Sequence, residues 1–393
     1  MEALIRESKR KILSLLHNVQ ATVERKRVNA LLDHYDTSVI QNEAPTQVKS
    51  VLFIITRMVR FHGGQTSILR LGTELSKLGY SVYYAVYKKQ SKEEMQICAS
   101  ANLAGFEGTL VSSTNFKKLL NKKSPDIIVA TSWDTVSYAK KFSGYKMYFV
   151  QDYEPYFYSF GEQFLLAKKT YEQGLHMVSL GSWNRDMILK NCSPVSKVDV
   201  VDFPYEKSEY PDTPRNYEDY RTKKNFILAV YLKYYGKRLP CIIPYMLDKV
   251  QEYFRKDGIT LTIKYFGEAK SFSTQGGENL GMLNKEELRQ LYEGADFGMV
   301  ASMSNISLVP YEMLATGLPL IEFKDGTFEY FFPKDSAILT SIDAKELYQL
   351  MTEVIHDPAK LQAQQVNAKG YMQHLSWAKT GNQFAKLMEA VKQ

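Results

Sequence analysis

The stretch SNISLVPYEMLATGLPLIE, from Ser304 to Glu322, decides the fold of this chain because it predicts a loop, a helix and a buried strand in sequence. Ser307 can cap a helix over Leu308–Thr316, and Pro310 is tolerated in the first turn, where helix amides have no partner. Gly317 can adopt the left-handed conformation that ends a helix. The apolar run that follows predicts a strand.

Glu312 is the charged residue of that predicted helix. It lies near the helix start, where unpaired backbone amides and the helix dipole favour anionic groups. A carboxylate in this place can accept hydrogen bonds from the hydroxyls of a sugar. An ordinary surface glutamate on a capped helix is the alternative interpretation of the same residues.

The composition is that of a folded chain with room for two domains. Apolar residues make up 45% and charged residues 24% of the 393 positions, as in globular proteins. No uninterrupted apolar run of about 18 residues occurs, and the N-terminus is too charged for a signal peptide, so we expect a cytoplasmic protein. The widely spaced Cys98, Cys192 and Cys241 predict neither a disulfide framework nor a structural zinc site.

The net charge of +7 could serve nucleic acid, an anionic membrane or a phosphorylated substrate. The 27 Tyr and 20 Phe are at first sight suited to stacking on bases. The sequence has no RNP, KH or zinc-finger signature, however, and no block of basic residues interleaved with aromatic ones. Nucleic acid is therefore not expected as a partner.

Short apolar runs alternate with helical segments from Val51 onwards, which predicts a doubly wound parallel α/β fold. A polar, proline-containing linker at 208–224 divides the alternation. We therefore expect one Rossmann-like domain over 46–207, a second over 225–370, and an amphipathic C-terminal helix over 371–393. The predicted strands are Val51–Ile55, Ser81–Val86, Ile127–Ala130, Met147–Val150, Met177–Leu180, Phe226–Tyr231, Thr260–Phe266, Phe297–Val300 and Leu320–Phe323.

Residues 1–45 lack strand alternation and are predicted to form an amphipathic helical extension. One stripe is apolar and the opposite face is basic, a combination that can lie on an anionic bilayer. Packing of the stripe on the protein's own body is an equal alternative. The stripe comprises Leu4, Ile5, Ile12, Leu15, Leu16, Val19 and Val23, and the basic face comprises Arg6, Lys9, Arg10, Lys11, Arg25, Lys26 and Arg27.

The loop after the first strand contains candidate binding residues in the sequence FHGGQ. Gly63 and Gly64 let a ligand approach the backbone, and the helix that starts near Gln65 directs free amides to the mouth of the sheet, where such folds bind ligands. The GxGxxG fingerprint of dinucleotide binding is absent, and a plain turn is the alternative. His62 is a candidate for contacting the reacting groups, or a packing residue.

The segment QDYE follows a later strand and should face the same crevice. Gln151, Asp152 and Glu154 could bind sugar hydroxyls, while Tyr153 covers an apolar face of the sugar. The two acids are candidates for contact with the reacting sugar or the acceptor hydroxyl. Alternatively, the acids cap the following segment and the rings fill the core.

The loop YLKYYGKRLP, between the first strand and the first helix of the second domain, contains three cations. Lys233, Lys237 and Arg238 can neutralise a diphosphate, with Arg238 supplying a bidentate fork. We expect these cations to face solvent in the free protein. A solvated turn without a ligand is the simpler alternative.

The segment around Glu312 resembles the donor-binding segment of GT-B glycosyltransferases of family 4, in which a glutamate before an A-x-G-x-P run binds the ribose of the nucleotide. Ser304 stands where the family has an earlier glutamate near the transferred sugar. The matching residues are Glu312, Ala315, Gly317 and Pro319, together with Gly63 and Gly64 for the Gly-Gly of the family's first loop.

The segment QDYEPYFY, which starts at Gln151, resembles WsaF-type rhamnosyltransferases, a branch of that family that builds bacterial glycans from dTDP-L-rhamnose. The likeness extends from about Val51 to Trp377. It implies two facing domains, the acceptor bound by the first and the donor by the second, and a C-terminal helix that crosses back onto the first. It also implies that the basic loop stabilises the leaving diphosphate without a metal or cofactor, although Lys233 stands where the branch more often has Arg. The implied donor-binding residues are Lys233, Phe266, Gly267, Met282, Leu283, Ser307, Leu308 and Glu312.

The expected activity is transfer of a sugar, L-rhamnose by this resemblance, from a nucleotide diphosphate to a growing cell-surface glycan or lipid-linked acceptor. A nucleotide-sugar epimerase of the same fold is an alternative. A non-catalytic subunit of a glycan-assembly complex is another, because Ser304 replaces the expected glutamate.

Overall fold

The computed structural model describes residues 2–120, 124–234 and 236–393. The first domain is built on a seven-stranded parallel sheet in the order β3-β2-β1-β4-β5-β6-β7. Its strands are β1 (Ser50–Ile55), β2 (Ser81–Val86), β3 (Thr109–Val111), β4 (Ile127–Ala130), β5 (Tyr145–Val150), β6 (His176–Leu180) and β7 (Val198–Val201). The strand order reverses between β1 and β4, and in doubly wound folds ligands bind outside the carboxyl ends of the strands at that point.

The second domain repeats this architecture with six parallel strands in the order β10-β9-β8-β11-β12-β13. Its inner strands are mainly apolar because helices cover both faces of a parallel sheet. The strands are β8 (Asn225–Tyr231), β9 (Thr260–Phe266), β10 (Glu278–Asn279), β11 (Phe297–Met299), β12 (Leu320–Phe323) and β13 (Ile338–Thr340).

Helices connect the strands and extend both ends of the chain. In the first domain these are α1 (Glu2–Leu32), α2 (Gly63–Lys77), α3 (Lys92–Asn102), α4 (Ser113–Leu120), α5 (Val136–Ala139), α6 (Glu162–Thr170) and α7 (Ser182–Asn191). Those that follow are α8 (Ile242–Lys256), α9 (Lys285–Gly294), α10 (Leu308–Ala315), α11 (Phe328–Phe331), α12 (Ala344–His356), α13 (Ala359–Met372) and α14 (Trp377–Glu389).

All nine predicted strands are present, with ends within two residues of the prediction. The sequence analysis missed β3, β7, β10 and β13, and these four are the outer strands of the two sheets. Each has at most four residues and lacks the long apolar run of a strand that is paired on both sides.

The C-terminal helix α14 lies on the first domain, although the chain reaches it only after completing the second. A side chain at Gly381 would clash with Glu74 of α2, since an added Cβ would lie 2.5 Å from Glu74 Cβ. Phe384 packs edge-on against Phe149 of β5. The two domains are therefore joined by this helix as well as by the linker.

The N-terminal extension divides into an exposed part and a packed part. The side chains of Ile12, Leu15, Leu16, Val19 and Val23 are 58–65% exposed, so this part of the apolar stripe does not pack on the body. Leu4 and Ile5 have side chains outside the described residues. No helix in the described ranges has the length and apolarity needed to cross a membrane.

From Glu24 onwards the extension is held on the first domain. Gln163 Nε2 donates to Glu24 Oε1 at 2.6 Å, and Val28 is buried. The Tyr35 hydroxyl donates to the backbone carbonyl of Leu166 at 2.7 Å. The end of α1 and the segment after it therefore belong to the first domain.

Candidate active site

The carboxyl ends of the two sheets face each other across a cleft. Residues that follow β5 in the first domain form hydrogen bonds with residues that follow β8 and β11 in the second. This is the edge at which parallel α/β sheets bind ligands. The loops predicted to hold the donor and the acceptor therefore meet.

Asp152 is the centre of the contact between the domains. It is only 7% exposed. Its carboxylate accepts hydrogen bonds from Lys237 Nζ at 2.5 Å, from Ser304 Oγ at 2.9 Å and from the backbone N–H of Asn305 at 3.1 Å. A glutamate in place of Ser304 would set a second carboxylate against Asp152. The departure of Ser304 from the family pattern thus has a physical reason within this chain.

Asn305 is a contact residue that the sequence analysis missed. Its side-chain Nδ2 donates to the carbonyl of Gln151 at 2.7 Å and to that of Leu180 at 3.0 Å, both in the first domain. An asparagine in a polar loop gives no sequence signal for such a role, because its partners are backbone groups distant in the chain.

The expectation that the basic loop faces solvent is wrong, because none of its three cations is exposed. Arg238 is 4% exposed, and its Nη1 donates to the carbonyl of Ala301 at 2.7 Å. Lys237 is half-buried over the ring of Phe157, 4.2 Å from the centroid. Lys233 is half-buried at the cleft, where burial lowers the pKa of its amine. The loop is folded inward because it closes the cleft between the domains.

Glu154 and Tyr153 lie deeper than predicted. The Glu154 carboxyl accepts hydrogen bonds from the Trp133 amide at 2.9 Å and the Tyr148 hydroxyl at 2.6 Å, and burial raises its pKa to about 8. Tyr153 is fully buried and stacks on Tyr171. The prediction that Tyr153 covers a sugar is therefore wrong, and its ring belongs to the core.

The loop after β1 is stabilised by its own side chains. His62 precedes the first turn of α2, and its Nδ1 accepts a hydrogen bond from the Gln65 amide at 3.3 Å. Gln65 is buried: its Oε1 accepts from the Val59 amide and its Nε2 donates to the Arg57 carbonyl. The Gln65 side chain thus holds the loop, so the structure does not leave it free for a ligand.

The two glycines of this loop differ in their surroundings. A Cβ on Gly64 would lie 3.3 Å from His62 and 3.5 Å from Oε1 of Gln151, whereas one on Gly63 would meet nothing within 4 Å. His62 has an exposed surface, yet desolvation by the protein around it and then the charge of Lys233 lower the pKa of its imidazole. Gly64, His62 and Gln151 therefore form one surface.

The helix α10 places Glu312 at the cleft. Ser307 occupies the cap position, but among the described residues its buried hydroxyl has no hydrogen-bond partner, so the predicted side-chain cap is wrong. Gly317 ends the helix with a φ of 74°, as predicted. Glu312 accepts a hydrogen bond from the hydroxyl of Tyr292 at 3.3 Å, and burial raises the pKa of Glu312 to about 7.

A network of ion pairs borders Glu312. Glu209 of the linker bonds to Arg70 of α2, and Lys285 Nζ lies 2.5 Å from Glu209 Oε1. Arg70 also lies 3.4 Å from Glu206. The network ties the linker to one helix of each domain at the predicted nucleotide end of the cleft.

The residues predicted around the nucleobase fall into two groups. Phe266 is buried against Tyr231, and a Cβ on Gly267, whose φ is 100°, would lie 2.6 Å from the Tyr231 ring. Met282 is 51% exposed, while Leu283 is half-buried. Phe266 is thus a core residue, and the accessible surface is provided by the loop at 281–283.

A cavity of about 970 Å³ opens in the first domain beside the interdomain contact. Its walls come from the loops after β1 and β4, the segment after β5 and the end of α1. Sequence analysis missed Asp134, which lies in the short turn after β4. A polar residue that follows a predicted strand was the signal that identified Asp152 and Glu154, and it applies to Asp134 as well. The predicted residues that line the cavity are His62, Gly64, Gln65, Gln151 and Glu154.

Comparison with known proteins agrees with this architecture. Residues 85–182 match the family described as WsaF, N-terminal domain. A search of curated protein sequences finds no match.

Similar solved structures cover both domains. Sucrose-phosphate synthase from Thermosynechococcus elongatus superposes with a TM-score of 0.66 and 15% identity, over 87% of this chain and 99% of that chain. HepE of Anabaena in complex with UDP-glucose gives 0.68 and 13%, over 87% and 99%. WaaG, a glycosyltransferase involved in lipopolysaccharide biosynthesis, gives 0.59 and 14%, over 86% and 99%. The prediction of two facing Rossmann-like domains in a GT-B fold is confirmed.

Proposed function

Because residues 85–182 match the WsaF N-terminal domain and 87% of the chain superposes on a GT-B fold, we propose that this protein is a glycosyltransferase that uses dTDP-L-rhamnose. Its acceptor is a growing cell-surface glycan or a lipid-linked precursor. The observation that carries the proposal is the convergence of Lys237 and Ser304 on Asp152, which brings a cation, a hydroxyl and a carboxylate from two domains to one point of the cleft.

The cations of the loop 233–238 have the chemistry to bind a diphosphate and to stabilise its charge as the sugar leaves. Fixed cations in a cleft shielded from water act more strongly than the same cations in solution. In the free protein Lys237 is paired with Asp152. Arrival of the diphosphate gives Lys237 a second anionic partner. Oδ2 of Asp152, which also accepts from Ser304, then has room for one further donor from the transferred sugar or the acceptor.

The hydrogen bond from Tyr292 to Glu312 supports the assignment of a deoxyribose to the donor nucleotide. A ribose offers two hydroxyls to a carboxylate, whereas the deoxyribose of dTDP offers one. Tyr292 already donates to Oε2 of Glu312, so the protein itself supplies the second donor and leaves Oε1 for the 3′-hydroxyl. A buried carboxylate oxygen that accepts no hydrogen bond would cost free energy, and the hydrogen bond from Tyr292 avoids that cost.

The side chains around α10 support a sugar with a methyl group. Leu308 and Val309 are half-buried at the start of the helix, where the methyl of L-rhamnose could contact them. Ile306 is buried and is not available for that contact. UDP-glucose, by comparison, presents a polar hydroxymethyl group at the same carbon.

Calorimetric titration with dTDP and with its ribose counterpart, 5-methyluridine diphosphate, tests the nucleotide assignment. Wild-type protein is expected to prefer dTDP, and Tyr292→Phe is expected to shift the preference towards the ribose form. Tyr265→Phe is the matched control, since Tyr265 is equally buried and donates its hydroxyl to Gln275. An unchanged preference in Tyr292→Phe would contradict the role of Tyr292.

The exposed stripe of α1 supports attachment to the inner face of the cell membrane. Apolar side chains that stand in water beside a basic face gain free energy at an anionic bilayer. Deletion of residues 2–22 is expected to reduce salt-sensitive binding to vesicles with anionic lipid and to leave transfer to a soluble acceptor intact. Equal vesicle binding by the shortened protein would contradict this proposal.

A further inference from the structure

Asp134 lies at the floor of the cavity in the first domain and is held by three hydroxyl groups. Its Oδ2 accepts from Thr56 Oγ1 and from the Tyr87 hydroxyl, both at 2.6 Å, and its Oδ1 accepts from Ser132 Oγ at 2.5 Å. In the described parts of the chain these partners are all neutral. The carboxylate is therefore fixed in position while its charge is left for a ligand.

The aromatic surroundings of Asp134 suit a sugar ring, and the cations Arg27, Arg57 and Lys88 also line the cavity. The Tyr87 ring stacks on Tyr138 at 4.0 Å between centroids, and Trp133 and Tyr158 form another part of the cavity wall. Aromatic faces cover the apolar faces of sugar rings, and a carboxylate accepts from their hydroxyls. Oδ1 of Asp134 has one protein donor and can accept another from a ligand.

The second carboxyl at this cavity belongs to Glu154, whose proton is retained near neutral pH because burial raises its pKa to about 8. The floor of the cavity thus contains one carboxylate and one neutral acid. No group of three metal-ligating side chains occurs in the described ranges 2–120, 124–234 and 236–393. Sugar hydroxyls remain the fitting partner for Asp134.

The end of α1 closes one side of the cavity. Ala30, Leu31, His34 and Tyr35 line it, and the hydrogen bond from Tyr35 to Leu166 fixes this wall on the domain. The end of α1 and the segment after it therefore contribute directly to the shape of the cavity.

The family resemblance already implies an acceptor in the first domain; we propose that, within this cavity, Asp134 binds the hydroxyls of acceptor sugars and that residues 27–35, the end of α1 and the segment after it, determine which acceptor fits. The identification of the ligand as an acceptor rests on the proposed transferase function. The binding site itself depends only on the cavity, its aromatic walls and Asp134.

Binding of a synthetic L-rhamnose trisaccharide, with maltotriose as a second neutral probe, tests the role of Asp134 by saturation-transfer NMR and calorimetry. Asp134→Asn is expected to weaken binding of the better probe at least tenfold. Asp126→Asn is the matched control, because Asp126 precedes the same strand and is likewise held by a hydroxyl, that of Ser50. Binding should be unchanged in that control. Failure of both probes to bind, or equal binding by Asp134→Asn and wild type, would overturn the proposal.

A bulky side chain near the end of α1 tests whether this helix limits the space in the cavity. Ala30 is exposed and lines the cavity, so Ala30→Trp should fill it and weaken binding of the same trisaccharide at least tenfold without unfolding the domain. Ala21→Trp, on the exposed part of the same helix, should have no effect. Equal binding by Ala30→Trp and Ala21→Trp would overturn the role of α1.

A titration with dTDP separates the failure of this inference from that of the proposed function. If dTDP fails to bind while the trisaccharide binds and responds to both variants, the donor assignment fails and the sugar site stands. If dTDP binds while the trisaccharide does not respond to either variant, the sugar site is overturned and the donor assignment stands.

Discussion

The two sides of the cleft differ in how their polar groups are partnered. On the side proposed to bind the donor, Lys237 is paired with Asp152, Arg238 with a backbone carbonyl and Glu312 with Tyr292. On the side proposed to bind the acceptor, a cavity of about 970 Å³ opens, and the described partners of Asp134 are neutral hydroxyl groups. Under the proposed function, a donor would therefore exchange partners with the protein, whereas an acceptor would enter a formed site.

This difference has a consequence for the order of events. Pairing of Lys237 with Asp152 closes the domains on each other and keeps both charges satisfied in the free protein, since an unpaired buried charge is costly. A diphosphate can compete for Lys237 because it has a charge of its own. Changes on the donor side should consequently affect stability as well as turnover, and changes on the acceptor side mainly binding.

Ser304→Glu should have the largest effect, because it sets a second carboxylate against Asp152 at a buried position. An uncompensated buried charge of this kind costs about 3–5 kcal/mol. We expect a lower melting temperature, a larger radius of gyration by small-angle scattering as the domains separate, and loss of transfer. Ser304→Ala, which removes only one hydrogen bond, should cost about 1 kcal/mol. An active, compact Ser304→Glu protein would show that Asp152 does not join the domains.

Arg238→Ala should have the second-largest effect, a loss of turnover. Removal of one fixed charge from a site of developing negative charge lowers turnover on the order of 10²-fold to 10³-fold. Because Arg238 is buried and bonds to Ala301, the melting temperature should fall as well, unlike that of a surface variant. Arg255→Ala, exposed in the last turn of α8, is the control for loss of charge alone. Wild-type turnover in Arg238→Ala would remove this residue from the donor site.

Glu312→Ala should weaken nucleotide binding. Loss of a charged hydrogen bond to the nucleoside sugar costs about 1.5–3 kcal/mol. Titration calorimetry with dTDP and UDP measures the change, and Glu329→Ala, at an exposed position of α11, serves as the control. Calorimetric affinity equal to wild type in a folded variant would show that Glu312 lies outside the nucleotide site.

The pH dependence of the protein's stability should reflect the protonation of the Glu154 carboxyl. Its pKa is about 8 when folded and near 4.5 when exposed, so the folded state binds a proton more tightly than the unfolded state. Stability from this group is full below pH 4.5 and is lost as the pH rises through about 8. Glu154→Gln should therefore flatten the fall in stability between pH 5.5 and pH 8.5, and the change removed from the free energy of unfolding is on the order of 3 kcal/mol. Identical pH profiles for variant and wild type would contradict the burial of this carboxyl.

Local sequence patterns predicted most of the fold. Buried inner strands such as β1 and β4 consist almost entirely of apolar residues, and the left-handed Gly317 ends α10 where the sequence places the end. The four outer strands escaped prediction because a short strand with one paired edge needs no such run. The position of the cap at Ser307 was predicted, but its hydroxyl does not make the bond.

The site was predicted as a set of loops more accurately than as a set of side chains. Asp152 and Lys237 each follow a strand, which places them at the cleft, but their pairing depends on how the two domains face each other. Tyr153 and Phe266 were predicted to contact ligands, yet both are buried in the core. The sequence beside a polar motif does not show whether an aromatic side chain points into the core or into the cleft. Asn305 bonds to partners distant in the chain, which spacing along the sequence does not show, whereas Asp134 follows a predicted strand and could have been found by that signal.

The central claim is transfer from dTDP-L-rhamnose, and a donor panel tests it most directly. Purified full-length protein is incubated with a lipid-linked or synthetic rhamnose acceptor and, separately, dTDP-L-rhamnose, UDP-glucose or GDP-mannose, and the products are identified by mass spectrometry. We predict an acceptor that gains one deoxyhexose from dTDP-L-rhamnose, with little product from the other two donors. Efficient transfer from UDP-glucose or GDP-mannose with none from dTDP-L-rhamnose would contradict the claim, and so would epimerised donor without product.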